Sequence, residues 1–238
     1  MTDATEASDA ADRLELSPTL VGESSAAYAT RIIREGILTG VLAPGSKIPQ
    51  ESIATRLDMS RIPIRDALRQ LESEGLVVIP SNRSAKVARL DAADFAEIYD
   101  MRELIEPYVV GMTARSVTAR QLGRLEALAD QFDKCVESNG DVLSVDREFH
   151  LLTMSGAPRK RVWKLVTELQ NASQQYRRAF HDLDRSPCTQ AKVCKEHHDL
   201  VDALRARDEV AAVAITRRHL ARTRALLEPV LLEREVTR

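Results

Sequence analysis

The stretch from Met59 to Leu76 constrains the fold most strongly, because its apolar residues recur at the spacing of a helix. Ser60 is placed to cap the start of this helix, and Gly75 is placed to end it. The apolar positions that share one face are Ile64, Ala67, Leu68 and Leu71. The stretch therefore predicts a short helix with one buried side.

Arg61, Arg65 and Arg69 form a stripe beside that apolar face, since residues four apart lie about 40° from each other on a helix. Guanidinium groups along a short helix can bind guanine edges bidentately or contact phosphates in the DNA major groove. Arginine stripes are also common on plain solvated helix faces, so the neighbouring segments decide between the two interpretations.

The distribution of charge favours DNA contact by one segment only. Residues 25–90 carry ten basic and six acidic side chains, a net charge of +4, although the whole chain is at −2. Residues 1–24 are at −5 and residues 91–238 at −1. Because the basic excess coincides with the arginine stripe, this segment is the candidate nucleic-acid interface.

Composition indicates a mostly helical, cytoplasmic protein. Aromatic residues make up 4% of the chain and there are nine glycines, which favours helices over sheets. No apolar run approaches the ~20 residues of a membrane span, and the N-terminal residues lack the apolar core of a signal peptide. The three cysteines form no CxxC pair, as expected in a reducing compartment.

Periodicity and breakers divide the chain into a tail and two domains. Residues 24–90 predict a winged helix-turn-helix of three helices and a β-hairpin wing, the DNA-binding domain. Residues 91–238 predict an all-α antiparallel bundle of six helices, the effector-binding and dimerisation domain. The predicted segments are a disordered tail over 1–23, helices over 25–39 and 50–57, the arginine helix, and strands over 76–79 and 85–88.

The segments IIREGILTGVLAPGSKI, SIATRLDMSRIPIRDALRQLESEGLV and SNRSAKV resemble the DNA-binding domain of GntR-type bacterial transcription regulators. The resemblance implies that Arg61 and Arg65 read bases. One departure is Asp58, which stands where the family usually has glycine in the turn. The residues that the resemblance assigns to phosphate or minor-groove contacts are Ser60, Arg69, Asn82 and Arg83.

One carboxylate and three imidazoles fall on predicted apolar helix faces. Asp146 and His150 share a face, and His197 and His219 lie inward on two later helices. Such a set suits Zn²⁺, Ni²⁺, Mn²⁺ or Fe²⁺. Any one of these histidines could instead be an ordinary core residue, and an ion pair between Asp146 and a histidine is a further alternative.

The motifs DREFH, EHHDLVDAL, RRHL and YDMRELIEP resemble the FCD, or FadR-like, branch of GntR regulators. Many members of that branch hold a divalent metal with one Asp and three His, and bind a small carboxylate there. The resemblance carries these metal ligands onto Asp146, His150, His197 and His219. It also implies that Arg102 clamps the effector carboxylate, although an ion pair with Glu106 is equally consistent with the spacing. Asn171 and Gln174 are further candidates for the lining of the same cavity.

These features predict a homodimeric regulator that binds a palindromic operator and responds to a small organic acid. Repression is the expected direction. A constitutive DNA-binding protein with a purely structural metal is one alternative. A metalloenzyme fused to a DNA-binding domain is disfavoured, since Glu148 and Glu196 point away from the ligand face and no HExxH motif occurs.

Overall fold

Two units of the chain, Met1–Leu90 and Asp91–Arg238, each enclose a separate hydrophobic core. The computed structural model describes residues 9–81, 84–156, 160–179 and 186–236. Within these ranges no helix has both the length and the apolar character that crossing a membrane requires.

From Ser25 onward, the described residues of the first unit form three helices and a short hairpin. Helix α3 carries the arginine stripe, and its buried residues are the four predicted from periodicity. Strands β1 and β2 pair antiparallel, with Val77 opposite Val87 and Val78 opposite Lys86. The elements are α1 Ser25–Leu38, α2 Gln50–Arg56, α3 Arg61–Ser73, β1 Val77–Val78 and β2 Lys86–Val87.

The turn into α3 uses a backbone conformation that glycine normally supplies. Asp58 has a φ of 51°, in the left-handed region, where aspartate is among the better tolerated residues. Ser60 occupies the N-cap position with extended backbone, but its side chain makes no capping hydrogen bond. The prediction that Ser60 caps α3 is therefore correct for the position and wrong for the bond. At the other end, Gly75 has a φ of +75°.

The prediction of a disordered tail over 1–23 is wrong for residues 9–23. Residues 9–12 are helical, and Ala11 and Leu14 are buried in the core of the first unit. Leu14 fits because Gly36 on α1 has no Cβ; a methyl group there would collide with the leucine side chain. The segment is rich in polar residues, so its composition suggested disorder. The side chain of Leu14 is buried because α1 packs against it.

The described residues of the second unit form six helices, in agreement with the predicted helical domain. Thr118 and Gln121 form the expected reciprocal capping box, and Asp91 caps the first helix through its side chain. Helix α4 packs against α9, α7 and α8, while α6 lies against α5 and α7. The helices are α4 Ala92–Ser116, α5 Ala119–Glu137, α6 Val142–Thr153, α7 Lys160–Ala179, α8 Pro187–Arg205 and α9 Glu209–Val236.

Candidate functional site

Three helices of the second unit bring the four predicted metal ligands together. Asp146 and His150 come from α6, His197 from α8 and His219 from α9, and all four are buried. One ligand atom from each residue lies within 4.8 Å of the others. His150 Nε2 is 3.5 Å and His197 Nε2 is 3.4 Å from Asp146 Oδ1.

The potential ligand atoms of this cluster are largely without hydrogen bonds. Asp146 Oδ1, His150 Nε2 and both ring nitrogens of His197 are buried and have no partner. Leaving such a group unpaired costs about 1–3 kcal/mol, so several unpaired atoms facing one another require compensation. One carboxylate oxygen and three imidazoles are suitable donors for a divalent transition metal, so the residues fit this group.

Arg177 on α7 fixes the orientation of the carboxylate. Its Nη1 donates to Asp146 Oδ2 at 2.6 Å, which leaves Oδ1 facing the histidines. Burial alone would raise the pKa of Asp146, but the charges of Arg177 and His150 hold this pKa well below its ordinary value. Asp146 is therefore ionised, as a ligand must be. The sequence reasoning missed Arg177, whose only signal is a face shared with Gln170 and Gln174.

Glu196 holds His219 from the side away from the cluster. His219 Nδ1 lies 3.0 Å from Glu196 Oε2, and Arg222 Nη2 donates to the same oxygen at 2.7 Å. Despite burial, these two partners lower the pKa of Glu196 to about 2. A carboxylate that accepts from one ring nitrogen leaves the other available to a metal, an arrangement common around metal-bound histidines. Because its carboxylate is bound in this way, Glu196 is not placed as a general base.

The environment keeps two of the imidazoles neutral. Burial lowers the pKa of His197 and lowers the pKa of His219 to about 3. Neutral imidazole is the form that ligates metals. The neighbouring His198 differs, since it is half-exposed and its Nε2 lies 2.8 Å from Asp133 Oδ2.

Arg102 is buried and forms the ion pair that the sequence left open. Its Nε donates to Glu106 Oε1 at 2.6 Å, and its guanidinium stacks over the Tyr99 ring with 4.9 Å to the centroid. The Nη1 atom of Arg102 is buried without a partner. The guanidinium is thus held by Glu106 and still has donor capacity for a ligand.

The predicted effector residue Asn171 already accepts hydrogen bonds from Arg147. Its Oδ1 accepts from Arg147 Nε at 3.0 Å and from Arg147 Nη2 at 2.6 Å. Its neighbours on α7 differ, because the side-chain oxygens of Gln170 and Gln174 are buried and unpaired. Gln170 was absent from the sequence-based candidates, since a glutamine on a polar-looking helix gives no signal of burial.

In the first unit, α3 presents the arginine stripe to solvent. Arg61 contacts Glu51, and Arg69 Nη1 lies 3.8 Å from Asp66 Oδ1. Arg65 has no ion-pair partner among the residues that the structure describes. Ile62 is 71% exposed on the same surface, and sequence reasoning did not assign it. Asn82 and Arg83, the predicted wing contacts, lie outside the described residues, and Ser60 is exposed.

The two acids that the sequence raised as possible general bases are both engaged in ion pairs. Glu148 forms a surface ion pair with Arg124, with 2.6 Å between Oε1 and Nη2. Glu196 is bound by His219 and Arg222, as described above. Neither Glu148 nor Glu196 is therefore placed to act as a general base toward a metal-bound water.

Two family models match the chain and together span both units. The model for bacterial regulatory proteins of the gntR family matches residues 26–87, and the model for the FCD domain matches residues 97–222. Among known relatives, the HTH-type transcriptional repressor RspR of Escherichia coli is 27% identical over 80% of this chain and 83% of its own length. The Nta operon transcriptional regulator of Aminobacter aminovorans is 27% identical over 53% of this chain and 60% of its own.

Solved structures give the same fold. McbR/YncC of Escherichia coli superimposes with a TM-score of 0.77 at 20% identity, covering 86% of this chain and 97% of that one. A putative GntR transcriptional regulator from Rhodococcus sp. RHA1 gives a TM-score of 0.70 at 25% identity, covering 87% and 97%. The chain therefore belongs to the gntR family of bacterial regulatory proteins, with a winged helix-turn-helix followed by an FCD domain.

Proposed function

We propose that this protein is a cytoplasmic, homodimeric repressor whose operator affinity is set by a small carboxylate bound at a divalent metal in the FCD domain. The observation that carries the proposal is the convergence of buried, unpaired ligand atoms from Asp146, His150 and His197 beside His219. Membership of a family of DNA-binding regulators supports the operator function.

In the proposed site, Asp146, His150, His197 and His219 hold Zn²⁺, Ni²⁺, Mn²⁺ or Fe²⁺. The ion, when bound, supplies a Lewis-acidic position for an effector carboxylate. Arg177 keeps the Asp146 carboxylate oriented, and Glu196 keeps His219 oriented. Arg102 offers its unpaired Nη1 to the effector carboxylate, because guanidinium groups bind carboxylates strongly.

In the proposed complex with DNA, α3 enters the major groove of one half-site. Arg61 and Arg65 contact base edges. The exposed Ile62, next to Arg61 in the chain, can contact a thymine methyl group. Ser60 and Arg69 contact phosphates, and Asn82 and Arg83 extend the contact through the wing. A palindromic operator follows from two-fold symmetry, because a dimer presents two identical reading helices.

The effector acts by shifting an equilibrium between two arrangements of the dimer. It can do so only to the extent that it binds one arrangement more tightly than the other. The ligands belong to α6, α8 and α9, so occupation of the site restrains three helices of the bundle at once. Repression relieved by effector is the proposed direction, in keeping with the named repressor among the relatives.

The test compares His197→Ala with His198→Ala in protein stripped by a chelator and reloaded with Zn²⁺, Ni²⁺ or Mn²⁺. We expect His197→Ala to lose bound metal and the metal-dependent rise in melting temperature, because it removes a ligand. His198→Ala should keep both, since His198 pairs with Asp133 instead. Metal content is measured by mass spectrometry, and unchanged content in His197→Ala would contradict the proposal.

A structural metal is the second candidate, because four protein ligands can form a closed tetrahedral site. The two candidates differ in their response to small carboxylates. Under the effector proposal, an acid stabilises the metal-loaded protein and changes its affinity for operator DNA. Under the structural alternative, metal stabilises the protein and no acid in a broad panel alters either property.

A further inference from the structure

The first arginine of α3 has an acidic partner on another helix. Arg61 donates through Nη2 to Oε1 of Glu51, which lies in the first turn of α2. The other two arginines of the stripe differ. Arg69 lies near Asp66 of its own helix, and Arg65 has no ion-pair partner in the part of the chain that the structure describes. The acid from α2 therefore acts on one member of the stripe.

The turn between α2 and α3 fixes where these two side chains begin. Ala54 of α2 and Ile64 of α3 are buried in the same core. The Met59 N–H donates to the Ala54 carbonyl at 2.9 Å. Close-packed, hydrogen-bonded segments allow little backbone movement. The first turns of the two helices, which carry Glu51 and Arg61, are therefore held at a fixed separation.

This ion pair contributes little to the stability of the unit. The side chains of Arg61 and Glu51 are 64% and 79% exposed. Exposed ion pairs add little to folding, because water screens them and ordering two long side chains costs entropy. The effect of Glu51 is therefore on what Arg61 can bind, rather than on the fold.

The pair leaves Arg61 able to read a base. A guanidinium group has five N–H hydrogens, and two of them belong to Nη2. Whichever Nη2 hydrogen Glu51 accepts, one edge of the group keeps two parallel donors. Two parallel donors match the O6 and N7 acceptors of guanine. The carboxylate thus restricts the orientation of the guanidinium without blocking its bidentate contact.

The carboxylate also makes phosphate a poorer partner for Arg61. An unpaired arginine at the groove can bind a base edge or a backbone phosphate, and phosphate contacts carry no sequence information. Glu51 offsets the charge of Arg61 and repels phosphate oxygens. Holding the long side chain in one orientation also lowers the entropy lost when a base is bound. Both effects favour base reading over non-specific binding.

We propose that Glu51 is a specificity-determining residue of the DNA-binding unit, because its carboxylate directs Arg61 to a guanine edge and away from the phosphate backbone. This inference rests on the proposed function, since it requires α3 to enter the major groove of an operator. Glu51 is a positioning residue that acts through Arg61.

The experiment first obtains a binding site by selecting randomised DNA duplexes with the full-length protein. Fluorescence anisotropy then measures affinity for the selected duplex, for its single base-pair variants and for a random duplex. Arg61→Ala identifies the base pair that Arg61 reads, as the position where discrimination falls. We expect Glu51→Ala to lose about tenfold discrimination at that base pair and to keep it elsewhere, within the range for one bidentate contact.

Binding to the random duplex tests the second effect of the carboxylate. Without Glu51, Arg61 is free to contact a phosphate. Glu51→Ala should therefore bind the random duplex more tightly than the wild type. The slope of log affinity against log salt concentration should steepen by about 1, the change expected for one additional phosphate contact.

Two companion variants separate orientation from charge. Glu51→Gln keeps an acceptor oxygen for Arg61 and removes the negative charge, so it should keep most of the discrimination. Glu35→Ala is the matched control. It removes the same charge from an exposed position on α1 that has no ion-pair partner among the described residues, so it should keep all of the discrimination.

The outcomes distinguish this inference from the proposed function. Full discrimination by Glu51→Ala at the Arg61 base pair would overturn the inference, and so would an equal loss at every base pair. Glu51→Lys, which repels Arg61, carries the same test if Glu51→Ala has a lowered melting temperature. Normal discrimination by Arg61→Ala would overturn this inference and leave the proposed regulator intact. Failure of the wild type to select any sequence would overturn both.

Discussion

At the scale of single residues, the two oxygens of Asp146 have different surroundings. Oδ2 accepts a 2.6 Å hydrogen bond from Arg177, whereas Oδ1 faces His150 and His197 without a hydrogen bond. A buried carboxylate is costly unless its charge is compensated. Arg177 supplies part of this compensation by itself, and the proposed cation would supply the remainder.

Arg177→Met should destabilise the metal-free protein by about 3–5 kcal/mol, the usual cost of breaking a buried ion pair by removing one partner. In metal-loaded protein the loss should be smaller, because the cation also compensates Asp146. Urea unfolding of chelator-treated and metal-loaded samples measures both values.

Arg178→Met is the matched control for this change. Arg178 pairs with the half-exposed Asp141 at 3.0 Å, a contact of the surface type worth about 0–1 kcal/mol. Equal losses in the two variants, or an equal loss for Arg177→Met with and without metal, would show that Asp146 does not depend on Arg177 for charge compensation.

At the scale of elements, the first unit depends on a segment that precedes its three helices. Leu14 packs into the core beside Gly36, and Arg56 at the end of α2 donates to the Leu14 carbonyl at 2.8 Å. Arg31 on α1 binds Glu23 with 2.8 Å between Nη2 and Oε2. The segment thus packs against α1 and α2 and covers part of the core of the unit that contains α3.

Leu14→Ala should lower the free energy of unfolding of the first unit by about 2–5 kcal/mol, as expected for a fully buried leucine. Leu16→Ala should cost little, because Leu16 is 46% exposed two residues later in the same segment. Denaturant titration of the two variants makes the comparison. Equal stability of both variants would mean that residues 9–23 do not stabilise the domain.

At the scale of the whole molecule, the proposed DNA contacts and the proposed ligand site belong to two units with separate cores. The arginine stripe lies on α3 in the first unit, and the ligand cluster lies on α6, α8 and α9 in the second. The two proposed activities should therefore be separable by mutation, even though the proposed effector would couple them in the proposed dimer.

Arg65→Ala should weaken specific operator binding by about 1–3 kcal/mol per half-site, because it removes a proposed base contact. Its metal content and its response to acids should equal those of the wild type. Arg120→Ala removes the same charge from an exposed position of the second unit and should leave operator affinity unchanged. Fluorescence anisotropy with labelled operator measures affinity, and normal binding by Arg65→Ala would refute its assignment to the groove.

The sequence determined most of the secondary structure and identified the four side chains that cluster in the second unit. The spacing of apolar residues along a helix is visible in the sequence itself. The buried faces of α3 and α6 could therefore be predicted without the tertiary structure. The capping box at Thr118 is likewise contained in four consecutive residues. His197 and His219 could be placed on buried faces because apolar residues lie one turn away on the same helix, Val193 and Val201 beside His197 and Ile215 beside His219.

Only the tertiary structure decided which partners those faces meet. Residues 9–23 seemed too polar to fold, because Leu14 becomes buried only where α1 provides the space above Gly36. The roles of Arg177, Glu196 and Gln170 could not be predicted from the sequence, since a polar side chain is stable in a core only when a partner from another helix satisfies it. Local periodicity specified the helices, whereas the hydrogen bonds that orient Asp146 and His219 depend on how those helices pack.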